Sequence, residues 1–238
     1  MPEIIKDSCV AGPFPGLSPM PRPRVSTNLA ISADGKISSV HRIASGWTSR
    51  EDHARLLDLR KNADALLIGR GTLEADRMTL TAPGNPLRCI VSKIGHLDPT
   101  HPIFSTRGGY IHLLITGPES PTLPAELIGK ITVHQQTLGD FLEILATKYQ
   151  IQNLHCEGGG TLIRALAEID AIDDFHLTIA GHTLFGGLQA PTATGIPGDF
   201  LPKSADFEIS HFESRPDLGE CFLSYSRKAQ AAESQSLE

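Results

Sequence analysis

The chain has 238 residues, a formal net charge of -6, 40% hydrophobic residues and 20% charged ones. That balance suits a globular chain and excludes disordered and fibrous classes, and with no long basic run it argues against a nucleic-acid platform, which draws on Lys and Arg to neutralise phosphates. No apolar run approaches a membrane span and no basic-then-apolar leader opens the chain, so no membrane partner is expected and the expected location is the cytoplasm.

In chain order, residues 1–22 run into the proline-dense stretch GPFPGLSPMPRPR, which disfavours helix and sheet and reads as an extended arm wrapping the body or a partner. RVSTNLAIS at 24–32 predicts a strand, and REDHARLLDLRKN at 50–62 a helix with Leu56, Leu59 and Ala63 on one face and Thr48 or Ser49 as its N-cap. ADALLIG at 63–69 is a nearly continuous apolar strand, the pattern of a sheet covered on both faces. Strands follow at LRCIVS and YIHLLIT, and Thr137 caps a helix in which Leu138, Phe141, Leu142, Leu145 and Tyr149 recur at helical spacing. That helix leads to strand QNLHC, a glycine turn and a short helix from Thr161. DFHLTIA at 174–180 alternates Phe175, Leu177 and Ile179 inward, and FEISHF and CFLSYS pair antiparallel. The last residues, KAQAAESQSLE at 228–238, are small and polar and are expected to be disordered. Repeated strand–helix–strand units predict an α/β domain over residues 23–227: a central, mostly parallel sheet flanked by helices, finished by an antiparallel C-terminal ribbon.

Cys9, Cys89, Cys156 and Cys221 are scattered and form no C-x-x-C pair, which favours buried free thiols over disulfides or zinc. His155-Cys156-Glu157 spells H-x-E, the opening of a zinc deaminase signature, but no P-C-x-x-C follows, so no metal is expected.

Ligands of open α/β sheets gather at the carboxyl ends of strands, and four loops there carry unusual residues. After the first strand come Asp34, Gly35 and Lys36; after the second, GRGTLEAD places Gly69 before a helical turn with Thr72 and Asp76 four apart. Ser92 and Lys93 follow the third, and Glu157 precedes Gly158, Gly159 and Gly160. Each has a plain alternative: Lys36 as a solvated turn, GRGTLE as a simple turn, Asp76 as a helix cap, and Trp47 as packing against the helix behind it rather than a cover for a ligand ring. The triple glycine is the strongest signal. It lets main chain approach a ligand, and the helix N-terminus behind it favours a phosphate. Glu157 would repel that phosphate, so its side chain is expected to turn toward a second ligand bearing hydroxyl or amine donors. Two adjacent ligands suggest a cofactor and a substrate.

Taken in order, ISADGKIS, SGWTSRED, LRKNADALLIGRGTLEAD, NPLRCIVS, EGGGTLIRAL and LTIAGHTLFGG resemble the reductase domain of the riboflavin-biosynthesis deaminase/reductase family, whose fold is that of dihydrofolate reductase. The resemblance implies NADPH-dependent reduction of a phosphoribosylamino-pyrimidine, either the aminouracil or the diaminopyrimidinone, to its ribitylamino form, by a homodimer. It implies cofactor contacts at Ala30, Trp47, Thr72, Asp76 and from Gly159 through Gly160 and Thr161 to Leu162, with Gly69 and Gly158 beside them. Substrate contacts fall at Ser45, Arg60, Leu80 and Glu157, with Lys36 near the ribose beside Asp34. Lys36, Asp76 and Glu157 are the expected catalytic set. The sequence departs from the family pattern at Arg77 and Met78, and Pro83 stands where a phosphate-gripping arginine is usual. Ser92 and Lys93, where an Asp is usual, become candidates for an adenosine 2′-phosphate. Two other expectations compete: a dihydrofolate reductase-like enzyme acting on a pterin or other small substrate, and a nucleotide-binding module without turnover.

Overall fold

Apolar strands buried on both faces set the centre of the molecule, and polar segments close it. The computed structural model describes residues 21–41, 46–118, 123–195, 201 and 206–228. Most of the proline-rich arm and all but the first residue of the polar tail lie outside them.

Strand β1 (Arg24–Ser32) is followed by helix α1 (Arg50–Arg60), β2 (Ala65–Gly69), α2 (Arg70–Asp76), β3 (Leu87–Ser92), β4 (Ile111–Ile115) and β5 (Ile131–Gln135). Then come α3 (Leu138–Thr147), β6 (Asn153–Cys156), α4 (Gly160–Glu168), β7 (Asp174–Ala180), β8 (Phe207–Arg215) and β9 (Glu220–Arg227). The N-caps fall on Ser49, which accepts from the Asp52 N–H, and on Thr137, which accepts from the Asp140 N–H. Strand β5 is absent from the sequence expectations: ITVHQ is an edge strand with alternating but largely exposed positions, so it lacks an apolar run. Helix α2, expected only as a turn, is held by Leu73, which is buried in the core.

The nine strands of the described residues join one sheet in the order β5-β4-β3-β2-β6-β1-β7-β9-β8. The first seven in that order run parallel, and β9 and β8 add the antiparallel ribbon. Side chains alternate across the sheet, so each face has its own core. On one face Val25, Leu67 and Leu154 meet Phe141, Leu142 and Leu145 of α3 and Leu162, Ile163 and Leu166 of α4. On the other, Leu66, Ile68, Ile90 and Leu113 meet Leu73 of α2, but this core spans only β2 to β4 and the segments packed on them.

The rest of that second face is polar. Register places Ser26 opposite His155, Asn28 opposite His176 and Ala30 opposite Thr178, with Ser224 beyond His176. Helix α1 covers this patch, and its charged side chains make the contacts. Asp52 accepts from the Thr178 hydroxyl at 2.6 Å, Arg55 donates to the Leu223 carbonyl at 2.6 Å, and Arg60 is the buried residue of the helix. The expected apolar stripe is therefore a minor contact: Leu56 and Leu59 are only half-buried. The two histidines below stay neutral, because burial pushes His155 down to about 3 and His176 to about 4.

Candidate active site at the strand carboxyl ends

The chain order defines where a cleft must form. From β1 the chain passes over the place of β6 to reach β2, moves outward to β5, and returns to insert β6 between β2 and β1. That reversal leaves a crevice at the carboxyl ends of β2, β6 and β1, the usual ligand position in an open parallel sheet. The β2–α2 junction, the β6–α4 turn and the loop after β1 meet there.

The turn after β6 is built from Glu157 to Gly160, and its glycines answer to different neighbours. A Cβ on Gly158 would lie 2.7 Å from the Gly69 amide nitrogen, and one on Gly160 would lie 2.3 Å from the Gly195 nitrogen. Both glycines are therefore demanded by the protein's own backbone. Gly159 differs: its Cβ would meet only the Thr72 hydroxyl, at 2.8 Å, and its N–H donates to that same oxygen at 2.9 Å. Thr72 and Gly159 are thus brought together as one unit at the junction of α2 and α4. The first amides of α4, from Gly160 and Thr161, have no partner within the helix, as at any helix start. Leu162 turns its side chain into the core, so only its main chain faces this end.

Glu157 and Arg60 meet at the floor of the crevice. Nε of Arg60 donates to one carboxylate oxygen at 2.5 Å and Nη2 to the other at 2.6 Å, with side chains 7% and 3% exposed. The third nitrogen, Nη1, donates to the Thr81 carbonyl at 3.2 Å. Burial pushes the Glu157 carboxyl above its ordinary range, against the opposing pull of Arg60 and of nearby His53. Glu157 is held by Arg60, a residue the sequence placed beside it only through the resemblance. His53, on α1 two turns before Arg60, was missed; its seven-residue spacing from Arg60 was the available signal.

Asp34 holds two loops together. Its carboxylate accepts from the Ser32 hydroxyl at 2.6 Å and from the Gly186 and Phe185 amides at 2.8 and 3.2 Å, and the Ser32 bond in particular holds it below the ordinary carboxylate range. It pins the loop after β7 to the loop after β1. Phe185 in that loop meets the Trp47 ring edge-on at 5.0 Å. Lys36, half-buried, shares the Ser32 turn through its main chain.

Three further positions are placed as follows. The Leu80 side chain is 1% exposed in the second core and its φ is +51°, so only its main chain can reach the crevice. Arg77 and Asn85, with φ of +48° and +52°, share that left-handed backbone, an uncommon concentration for residues other than glycine. The Ser92 hydroxyl is buried and accepts from the Gly95 N–H at 3.1 Å, capping a turn. Lys93 beside it is exposed. Ala30 lies on the α1 side of β1 and Asp76 ends α2, while Ser45 falls outside the described residues. Alternation separates His155, under α1, from Cys156, in the opposite core. Sequence reasoning also missed Glu220, buried on β9, whose two oxygens accept from the Ser49 N–H and hydroxyl and so fix the start of α1.

Comparison with known proteins agrees with this architecture. A family model described as the RibD C-terminal domain matches residues 23–214. The 2,5-diamino-6-ribosylamino-4(3H)-pyrimidinone 5′-phosphate reductase of Archaeoglobus fulgidus is 30% identical over 190 residues, covering 72% of this chain and 85% of that protein. The protein of the same name from Methanothermobacter thermautotrophicus is 28% identical over 221 residues, covering 84% and 95%. RibD of Acinetobacter baumannii superposes with a TM-score of 0.71 at 21% identity over 87% of this chain, which spans 58% of that longer protein. Dihydrofolate reductase of Enterococcus faecalis shares the fold at a TM-score of 0.52 and 15% identity, covering 87% of this chain and 97% of its own. With the family model matching residues 23–214, most of the chain, this chain belongs to the RibD C-terminal domain family.

Proposed function

We propose that the chain is an NADPH-dependent reductase of riboflavin biosynthesis that converts a 5′-phosphoribosylamino-pyrimidine to its ribitylamino form, and that it prefers the diaminopyrimidinone over the deaminated aminouracil. The preference rests on the names of the two archaeal relatives. The observation that carries the reading is the buried Arg60–Glu157 pair lying directly before the glycine-capped start of α4, an anion-binding end beside a fixed carboxylate.

The site fits a dinucleotide. The Gly160 and Thr161 amides offer donors to a diphosphate, Gly159 leaves room for the Thr72 hydroxyl that accepts its N–H, and exposed Lys93 offers a cation to a 2′-phosphate. Asp76 is assigned to hydroxyls of the cofactor or substrate, and Gly69 to close approach at the start of α2. Trp47 and Ala30 line the side toward the loop after β1. When bound, NADPH supplies the hydride that adds to ribose C1′.

The protein's part is to bind, orient and move protons. Arg60 locks the Glu157 carboxylate in one orientation, so that the lone pairs it leaves free accept from substrate amino or hydroxyl groups. Lys36 stands with the ribose oxygens and assists proton movement as the ring-closed aminoglycoside opens to the imine that accepts hydride. The Leu80 main chain and Ser45 complete the substrate set.

The reading includes action in the cytoplasm as a homodimer. Unpaired Cys89, Cys156 and Cys221 suit a reducing compartment. Ile209 and Phe212 on β8, 60% and 59% exposed, offer apolar surface to a second subunit. Among the described residues no helix is long and apolar enough to cross a membrane.

The test follows NADPH absorbance with the diaminopyrimidinone phosphate, the aminouracil phosphate and dihydrofolate as separate substrates. Oxidation with the first, faster than with the second and absent with the third, is the expected result. Turnover with dihydrofolate alone would replace it by the pterin reading, and NADPH binding without oxidation in any mixture by the non-catalytic one.

A further inference from the structure

On the face opposite α1, a cavity of about 210 Å³ opens between α4 and the C-terminal ribbon. Its walls include Ile163 of α4, Ile172 and Phe175 around the start of β7, Thr194, Leu201, Phe207 and Arg227. At that volume it falls below the roughly 300–1,000 Å³ of small-molecule sites and suits one or two apolar side chains. Its walls are apolar except for Thr194 and Arg227. Arg227 gives Nε to the Ile172 carbonyl and Nη1 to Asp170, but its Nη2 is buried without a hydrogen-bond partner among the described residues. A buried guanidinium nitrogen left unpaired calls for an acceptor.

The chain itself leads there. Arg22, the last residue of the proline-rich arm, is clamped bidentately to Asp173 at 2.6 and 2.8 Å, one residue from the wall residue Ile172. We propose that residues 12–18, Gly-Pro-Phe-Pro-Gly-Leu-Ser, fold back from this clamp onto the cavity, the Phe14 ring filling it and a main-chain carbonyl accepting from Nη2 of Arg227. Three features select this occupant. A polyproline segment leaves its carbonyls without internal partners, so it needs donors from its groove, and it docks against aromatic walls such as Phe175 and Phe207. Phe14 sits between Pro13 and Pro15, which stiffen it in that conformation and lower the entropy lost on docking. The reach suffices: the eight steps from Phe14 to Arg22 span about 25 Å when extended at about 3.1 Å each.

Methyl NMR on the full chain tests it. The expected result is nuclear Overhauser contact between the Phe14 ring and the Ile163 and Ile172 methyl groups, and displacement of those two methyl resonances in Phe14→Ala, with Ile68 and Ile90 of the other core unmoved. A second variant, Pro13→Gly/Pro15→Gly, keeps the ring but loosens the arm and should weaken the same contacts. Absence of Phe14 contacts with unchanged Ile163 and Ile172 resonances in Phe14→Ala overturns the proposal. So does contact from Phe200, next to the wall residue Leu201, which would assign the cavity to the segment before β8.

Discussion

Replacing Arg60 by Met strands the Glu157 carboxylate in a site where its side chain is 3% exposed. The Arg60 side chain is itself only 7% exposed, so the pair escapes the solvent screening that makes surface ion pairs nearly neutral. Removing one partner of a buried, bidentate pair costs about 3–5 kcal/mol. For a chain of this size each kcal/mol moves the melting point by about 2–4 °C, so Arg60→Met should melt about 6–20 °C lower at neutral pH. The pH dependence carries the sign of the argument. Burial already raises the Glu157 carboxyl against the pull of Arg60, and losing that pull raises it further. A carboxyl whose folded pKa exceeds its unfolded value of about 4.3 binds the extra proton in the folded state, so stability is lost as pH rises through that window. The gap between wild type and Arg60→Met should thus be smallest near pH 4.5 and widen toward pH 8, values taken from about the unfolded pKa upward. Neutral His155 and His176, held down to about 3 and 4, destabilise both proteins as pH falls through the unfolded histidine range, and the difference cancels them. Urea unfolding at a series of pH values reads the gap. A gap below about 1 kcal/mol throughout, or one that widens in acid, would refute the reasoning. The double variant Arg60→Met/Glu157→Leu should recover part of the loss, because it removes the stranded charge.

The glycine turn yields a stability series: Gly158→Ala and Gly160→Ala drive a Cβ to within 2.7 and 2.3 Å of main-chain nitrogen and should each cost about 1–3 kcal/mol on thermal melting. Gly159→Ala meets the Thr72 hydroxyl at 2.8 Å rather than main chain, so it should cost less on melting than either of these while NADPH affinity, read by fluorescence titration, falls about tenfold. Lys93→Glu should raise KM for NADPH by about tenfold or more, roughly 1.4 kcal/mol, and leave KM for NADH unchanged; equal effects on both cofactors would remove Lys93 from the 2′-phosphate. Asp34→Ala frees the Phe185 and Gly186 amides, and hydrogen exchange at those two amides should quicken while the sheet amides of β1 stay protected.

Much of the sheet was legible because burial on both faces writes a continuous apolar run, as in ALLIG of β2, and the alternation in DFHLTIA marks β7 to the residue. Strand β5 was not legible: at the sheet edge, Thr132 and Val133 are exposed and no run survives. The carboxylate and the glycines of the β6–α4 turn were legible as a cluster, but their division of labour was not. Whether a glycine faces a ligand or a neighbouring main chain depends on what lies across the turn, and Gly69 and Gly195 are 89 and 35 residues away from Gly158 and Gly160 in sequence. The same holds for Leu80 and Ser92, whose residue types suit a site but whose side chains the fold turns inward.

Helix α1 shows why the site and the fold are coupled in this molecule. An amphipathic helix is ordinarily held by an apolar stripe, whose loss at any one point is graded. Here the sheet beneath offers Ser26, His155, His176, Thr178 and Ser224, and α1 is held at its start by Ser49 on Glu220 and Asp52 on Thr178, in its middle by Arg55, and at its end by Arg60 on Glu157. Directional contacts of this kind fix position closely but cannot slide to compensate, so a change at either end re-aims the whole helix. Arg60 therefore serves twice: it anchors α1 and orients the carboxylate proposed to meet substrate. Activity lost in Arg60→Met must be compared with activity lost in Ser49→Ala, which loosens the opposite end of α1 without touching Glu157. If Ser49→Ala lowers turnover as far as Arg60→Met does, helix position rather than the Arg60–Glu157 contact limits the reaction.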